Sequence, residues 1–405
     1  MRSVEDHQRI VLGDARPLPT ERVPLLGAEG LVLAEAVSAA WPLPAFDNSS
    51  MDGYAVRAAD VAGASDGTPV RLPVHGDLAA GQESIDSLDP GTAVRIMTGA
   101  PVPTGADAVV PVEWTDAATD VVAINQVPDA GAHIRRRGED VAAGAVVLEP
   151  GTPINARVIA MLAAVGLPDI PVHRRPRVAV ISTGDELVDP GVAPGPGQIV
   201  DSNSYMLTAA VREAGAEGVR IGPVPDDEET LEAILREEAA RSDLILTSGG
   251  VSMGAYDTVK SVLTRMGGVD FVKVAMQPGM PQGSGSVGTT PIVTLPGNPV
   301  SSYVSFEVFV RPLIRRMLGH VVIERPRLHA ICAREFGSPP GKTQFARVRL
   351  DLRDGLLMAE PEGGQGSHII GGLSRADGLA VVPAATDRVH VSDELVVWDL
   401  RGGMQ

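Results

Sequence analysis

Cysteine is nearly absent: Cys332 is the only one in 405 residues. This excludes a disulfide scaffold and thiolate zinc sites, and it suits a reducing, cytoplasmic setting. Cys332 itself is expected in the core, where free cysteines usually lie. Aromatic residues make up only 3%, whereas Gly and Pro number 45 and 33. Short elements joined by tight turns fit that balance better than long helices. Positive charge is scarce too, with 34 Lys and Arg against 51 Asp and Glu, a net charge of −17. Nucleic acid and anionic membranes demand a cationic surface, so neither is an expected partner. A small anionic ligand stays open, provided a local basic cluster and backbone donors oppose that background. No apolar run is long enough to span a bilayer. The opening Met1-Arg2-Ser3-Val4-Glu5-Asp6 lacks the apolar core of a signal peptide. The histidines are scattered without a His-Glu-x-x-His pattern, which gives little support to a His-centred metal site or a Ser-His triad.

The length exceeds what one core usually supports, so about two to four domains are expected. Residues 1 to about 40 read as a polar helix with a Ser3-x-x-Asp6 capping pattern, then a linker rich in Pro and Leu. From about 45 to 145, short β-type runs such as Val94–Met97 and Val109–Val112 alternate with Gly and Pro, which marks a β-rich module. Residues 153–167 predict a compact helix with Pro153 near its start and Gly166 near its end. From 176 to 320, three continuous apolar runs alternate with helical patterns: Arg177–Ser182, Asp243–Thr247 and Pro291–Leu295. Such runs are typical of buried parallel strands, so this zone predicts a doubly wound α/β sheet. The last zone, 321–405, returns to β alternation and reads as a small barrel or sandwich.

Each buried run ends in a polar loop containing glycine: Thr183-Gly184-Asp185-Glu186, Ser248-Gly249-Gly250-Val251-Ser252 and Pro296-Gly297-Asn298-Pro299. Ligands of open α/β sheets bind at the carboxyl ends of the strands, where glycine admits close approach and helix N-termini offer free N–H groups. Asn298 before Pro299 can also be a simple helix cap. Asp185, Glu186 and Asp257 lie just past strand ends, and Asp201 enters a helix. Each alone can be a cap or a solvated acid. As a set beside a phosphate cradle, they suggest Mg²⁺-assisted phosphoryl or anhydride chemistry.

The β-rich module carries Asn48-Ser49-Ser50-Met51-Asp52-Gly53-Tyr54-Ala55-Val56, then Arg95–Pro103 and Ile134-Arg135-Arg136-Arg137-Gly138-Glu139-Asp140. The three arginines form the local basic cluster that an anionic ligand requires, unless they are only a solvated charge run. The first of these stretches resembles the N-S-A-M-D-G-Y-A-V motif of the molybdopterin molybdenumtransferase family, to which the gephyrin E domain also belongs. Arg95–Pro103, Arg135–Asp140, Thr183–Leu187, Ser248–Gly254 and Leu295–Val300 resemble further motifs of that family, in family order.

The resemblance implies a multidomain α/β plus β protein. An N-terminal helical and linker domain takes 1–44 with 146–175, a β-rich domain 45–145, an α/β molybdopterin-binding domain 176–320 and a C-terminal β-barrel 321–405. It implies a homodimer whose site joins the α/β domain of one subunit to the β-rich domain of the other. The implied substrates are adenylylated molybdopterin and molybdate: with Mg²⁺ the phosphoanhydride is cleaved, AMP leaves and molybdenum is placed on the dithiolene. Asp52, Thr98, Asp140, Glu186 and Asp257 would be catalytic, with Glu186, Asp201 and Asp257 at the metal or nucleotide. Asp201, Arg135, Arg136, Arg137, Thr183, Gly184, Ser248, Gly249, Gly250, Ser252, Pro296, Gly297, Asn298, Pro299 and Ser367 would bind substrate. A molybdopterin adenylyltransferase is a further implied partner, and adenylyl transfer itself an alternative activity.

One loop departs from the family pattern. Where the family commonly has Lys-Pro-Gly-Lys-Pro, this chain reads Gln277-Pro278-Gly279-Met280-Pro281, which keeps the turn and loses both cations. That departure leaves open a weakened paralogue acting as a molybdopterin-binding or scaffold protein. Gly283-Ser284-Gly285-Ser286-Val287-Gly288 fits G-x-G-x-x-G but precedes a strand-like run, so it is expected as a hairpin loop. Gly341-Lys342-Thr343 lacks the spacing and the helix of a P-loop, which leaves Lys342 on the barrel surface.

Overall fold

The computed structural model describes residues 1–83, 87–251 and 258–402. The chain divides into two compact units. The smaller comprises Ala36–Glu149 with Arg157–Pro168, and the larger comprises the remainder.

In the smaller unit, a five-stranded sheet runs in the order Ala108–Pro111, Gly53–Val56, Ala93–Ile96, Val70–Leu78 and Val121–Ile124. Strand Gly53–Val56 is buried throughout, because Tyr54 and Val56 enter one apolar cluster while Ala55 enters another on the opposite face. Its first residue must be glycine. A Cβ at Gly53 would stand 2.0 Å from the Val110 carbonyl oxygen, so any side chain would break the pairing. Helix Ala156–Ala164 accepts an indole N–H bond from Trp41 at its Ala164 carbonyl, 3.1 Å. The helix begins later than Pro153 because Ile154 is engaged in paired backbone bonds with Gly30 and Leu31.

In the larger unit, a six-stranded sheet has the order Glu217–Val224, Arg177–Thr183, Leu244–Ser248, Thr290–Leu295, Pro281–Val287 and Val269–Lys273. The first four strands are parallel, and the last two join antiparallel. Alternate residues of Arg177–Thr183 face two cores. Val178 and Val180 pack with Leu207, Phe306 and Ile314, while Ala179 and Ile181 pack with Leu231, Val259 and Val262. Helices thus cover both faces, as a doubly wound sheet requires.

The segment expected as a hairpin loop is instead a strand, Pro281–Val287. Its glycines are spacing devices: a Cβ at Gly283 would lie 2.0 Å from Thr294 Oγ1, and one at Gly285 1.9 Å from the Gly268 carbonyl oxygen.

The C-terminal strands Arg327–Cys332, Thr343–Arg353, Leu356–Pro361, Gly378–Val382 and Glu394–Asp399 close into a barrel, since Thr343–Arg353 pairs with both Leu356–Pro361 and Gly378–Val382. Cys332 is buried in its core. The N-terminal helix Val4–Leu12 starts at Ser3, whose Oγ accepts the Asp6 amide at 3.0 Å. No helix among the described residues is long and apolar enough to cross a membrane.

Candidate active site

The carboxyl ends of the parallel strands open into a cleft of about 310 Å³. Thr183, Gly184 and Glu186 line it from one loop, Gly249 and Gly250 from the second, and Pro296, Gly297 and Asn298 from the third. Gly249 and Gly250 both adopt left-handed backbone (φ 94° and 84°), and a Cβ at Gly250 would collide with Val259. Two of the expected phosphate donors are already engaged: the Gly249 amide donates to the Leu295 carbonyl at 2.9 Å and the Gly184 amide to Val224 at 3.1 Å. The Gly250 and Gly297 amides have no acceptor among the described residues. Asn298 stands at the N-cap position of the helix from Pro299, yet its side chain makes no capping bond and lines the cleft.

The acids divide. Glu186 is exposed at the cleft, whereas Asp201 is buried behind the loops and not among the lining residues. One Asp201 carboxylate oxygen accepts the Ser182 and Ser204 hydroxyls at 2.7 and 2.5 Å, and the other accepts the Ser204 amide at 3.0 Å. Burial alone would push this carboxyl up. The bonds from Ser204 and Ser182, with Arg220 nearby, outweigh it and hold Asp201 below the usual range. Ser248 is buried rather than lining the cleft, and Pro299 is the first helical residue. Ser252 and Asp257 lie outside the described residues.

Two residues at this edge were missed by sequence reading. Asn203 Nδ2 donates to Ser248 Oγ at 2.7 Å and to the Gly297 carbonyl at 2.6 Å, so one side chain ties two of the loops together. Asp226 lines the cleft and follows strand Glu217–Val224, and its amide donates to Asp185 at 3.2 Å. The only available signal for either was position: the first turn of a helix after Asp201, and the end of a strand too irregular to be recognised.

The barrel reaches this edge through Ser367, whose carbonyl accepts the Val300 amide at 3.0 Å. Its loop is held by Arg347, a buried side chain that donates to the Gly364 and Gly366 carbonyls. The Gln277–Pro281 loop also borders the cleft through Pro281. Buried Gln282 fixes its turn by donating to the Gly279 carbonyl and Ser305 Oγ, both at 2.6 Å.

In the smaller unit, Asp52 and Thr98 meet directly. The Asp52 carboxylate accepts the Thr98 amide at 2.7 Å and hydroxyl at 2.8 Å. The amide bond foremost, then the hydroxyl, hold Asp52 below the usual carboxylate range although it is exposed. Ser49 is the hub: its backbone bonds Gly99 and Ala100, and the Ser50 amide reaches His133. The arginines are not equivalent. Arg135 pairs with Asn48 as a strand, Arg136 forms an ion pair with Asp47 at 2.7 Å, and Arg137 donates its amide to the same carboxylate. Those two bonds, the Arg137 amide first, lower the Asp47 carboxyl. Asp140 is exposed on the same loop, its amide bonded to Leu43.

Comparison with known proteins adds to this geometry. The MoeA N-terminal region (domain I and II) matches residues 2–166, a probable molybdopterin binding domain matches 179–316, and the MoeA C-terminal region (domain IV) matches 329–400. Among solved structures, a molybdopterin biosynthesis moeA protein from Pyrococcus horikoshii superimposes with a TM-score of 0.85 at 33% identity, covering 99% of both chains. Molybdopterin molybdenumtransferase 2 of Mycobacterium tuberculosis is 52% identical over 99% of this chain and 100% of its own. The corresponding Bacillus subtilis enzyme is 37% identical over 91% and 86%.

The chain belongs to the molybdopterin molybdenumtransferase family. It is therefore a transferase, and the strand-end cleft lies within the segment matched by that family's molybdopterin binding domain. Asp52, Thr98 and Asp140 lie within the segment matched by the N-terminal region.

Proposed function

We propose that this chain inserts molybdenum from molybdate into adenylylated molybdopterin, cleaving the phosphoanhydride and releasing AMP, in molybdenum cofactor biosynthesis. The observation that carries this reading is the cleft where three glycine-bearing strand-end loops meet in a member of this family. The Gly250 and Gly297 amides would donate to the anhydride phosphates, and Asn203 keeps Ser248 and Gly297 in register. Asp201 acts from behind, fixing Ser182 and Ser204, so its role is to position the loops.

Among the described residues there is no group of three or more His, Cys, Asp or Glu that could hold a metal ion. The donor set still fits Mg²⁺, which commonly takes one or two carboxylates and completes its shell with water and substrate phosphates. Glu186 and Asp226, which both line the cleft, would hold it here. When bound, Mg²⁺ neutralises phosphate charge as the anhydride breaks.

Asp52 and Thr98 belong to the molybdate and pterin side. Ionised and hydrogen-bonded, Asp52 serves as an acceptor, not as a proton donor. A homodimer would present the Asp52 surface of one subunit to the cleft of the other, and the setting is the cytoplasm.

Incubation with adenylylated molybdopterin, molybdate and Mg²⁺ should release AMP and yield active cofactor. Tight substrate binding without turnover would support the second reading, a binding or scaffold paralogue. That reading has one observation in its favour: the Gln277–Pro281 loop brings no cation to the cleft it borders. Gln277→Lys with Met280→Lys should then raise turnover severalfold.

A further inference from the structure

Adenylylated molybdopterin carries two flat heterocycles, a pterin and an adenine, and binding sites commonly hold such rings by stacking on aromatic side chains. Among the described residues that line the strand-end cleft, none is aromatic. Three aromatic side chains are exposed among the described residues: Trp41, Phe46 and Tyr205, at 42%, 48% and 45%. Two of them are already engaged. The Trp41 indole donates to the Ala164 carbonyl and lies against Gly166, where a Cβ would stand 2.0 Å from the ring. Tyr205 is covered by the Arg220 guanidinium, 4.2 Å from its ring centroid. Phe46 has neither an aromatic nor a cationic partner among the described residues. Tyr256 lies outside those residues.

The exposed ring stands on a fixed backbone. The Phe46 carbonyl accepts Asn48 Nδ2 at 3.2 Å, and two residues upstream the Pro44 carbonyl accepts the Gly138 amide at 3.0 Å. Downstream, the Asp47 carbonyl accepts the Val102 amide at 3.0 Å, while its carboxylate holds the Arg136 guanidinium and the Arg137 amide. A ring presented this way loses little freedom when a ligand covers it. The same segment leads to Asp52. Ser49 bonds Gly99 and Ala100 through its backbone, and Asp52 bonds Thr98, so Phe46 and Asp52 stand at the two ends of one paired ribbon. The chain between them spans at most about 20 Å when extended.

We propose that Phe46 is a substrate-binding residue whose ring face is the platform on which a flat heterocycle of the substrate stacks. This deepens, and rests on, the assignment of the Asp52 surface to the molybdate and pterin side. A phenyl face recognises the shared chemistry of pterin and adenine, a planar π-system, and the two can be separated by experiment.

The test uses full-length protein with its six phenylalanines replaced by 4-fluorophenylalanine, titrated with pterin-6-carboxylate, AMP and ribose 5-phosphate. The Phe46 fluorine signal, assigned by its loss in Phe46→Leu, should shift saturably with a ring-bearing probe. Pterin-6-carboxylate binding more tightly than AMP identifies a pterin platform, and the reverse order an adenine platform. Phe46→Leu should weaken the tighter probe about tenfold with an unchanged unfolding midpoint, and Phe46→Tyr should bind it as wild type does. A Phe46 signal unmoved by both ring-bearing probes at about 10 mM overturns the proposal. So does an equal shift with ribose 5-phosphate, or an affinity for both ring-bearing probes unchanged in Phe46→Leu. None of these readings depends on turnover. Normal AMP release with a silent Phe46 therefore removes the platform alone, and a shifted Phe46 without AMP release removes only the insertion activity.

Discussion

Asp201 in the larger unit and Asp52 in the smaller are both held below the usual carboxylate range by hydrogen bonds, yet they sit in opposite surroundings. Asp201 is 1% exposed, with both oxygens occupied by Ser182 and Ser204. Asp52 is exposed, and a single neighbour, Thr98, supplies both of its bonds through one oxygen. A lowered pKa therefore does not by itself mark a ligand-binding acid. The buried carboxylate is used up in shaping the loops, while the exposed one keeps an oxygen for something else. The family resemblance made both acids site residues, Asp52 as catalytic and Asp201 at the metal or nucleotide. Burial separates them.

The strongest way to break this contrast is at Asp201. Asp201→Ala leaves two hydroxyls, an amide and Arg220 facing an empty acceptor site, and should cost about 3–5 kcal/mol of stability in urea unfolding. A loss below about 1 kcal/mol would show that the buried network does not hold the loops. The pH dependence has a definite sign. The folded-state pKa is lowered, so the stabilisation is complete above the unfolded value of about 3.9 and disappears as pH falls through the folded value. The stability gap between wild type and Asp201→Asn should be flat at neutral pH and close only below about pH 4.

Asp52 should behave in the reverse way. Asp52→Asn keeps an acceptor but removes the charge, and should lower turnover at least about a hundredfold with an unchanged unfolding midpoint. Thr98→Val tests the same pair from the donor side and should fall in the same direction. If either variant unfolds early while residual activity per folded molecule is normal, Asp52 is a structural acid like Asp201.

Asn203 lies between these extremes, being structural in its bonds and functional in what it joins. Asn203→Ala frees Ser248 from Gly297 and should cost about 1–2 kcal/mol. Turnover should fall about tenfold, because the loops lose their common clamp. Normal turnover at full substrate saturation would mean that the loops are set by the sheet alone.

Continuous apolar runs made Arg177–Thr183, Leu244–Ser248 and Thr290–Leu295 legible, since strands buried on both faces tolerate little else. The fourth parallel strand was hidden by its own composition, Glu217-Gly218-Val219-Arg220-Ile221-Gly222-Pro223-Val224. It is an edge strand, where proline and charge are permitted, and Arg220 turns back to Ser204 at 2.7 Å. Missing that strand meant missing Asp226 at its end. The strand Pro281–Val287 was concealed for a different reason. Its glycines follow from contacts with Thr294 and Gly268 that only the folded sheet creates. Motif reading found the loop residues themselves, but not that the Gly184 and Gly249 amides are spent within the fold.

The smallest expected effect concerns the basic cluster. Arg136 is bonded to Asp47 at 2.7 Å, but the two side chains are 52% and 38% exposed. Exposed pairs of this kind are worth about 0.2–1 kcal/mol and weaken with salt. Asp47 also accepts the Arg137 amide at 2.7 Å, so the turn keeps one anchor when the guanidinium is removed. Arg136→Ala should therefore lower stability by less than about 1 kcal/mol at low salt and by almost nothing at 1 M, read from paired urea titrations. Arg135→Ala and Arg137→Ala should be neutral for stability, because what holds each in place is its backbone and not its guanidinium. Any larger change in substrate affinity for those two than for Arg136 would separate arginines that meet a ligand from the one that meets Asp47.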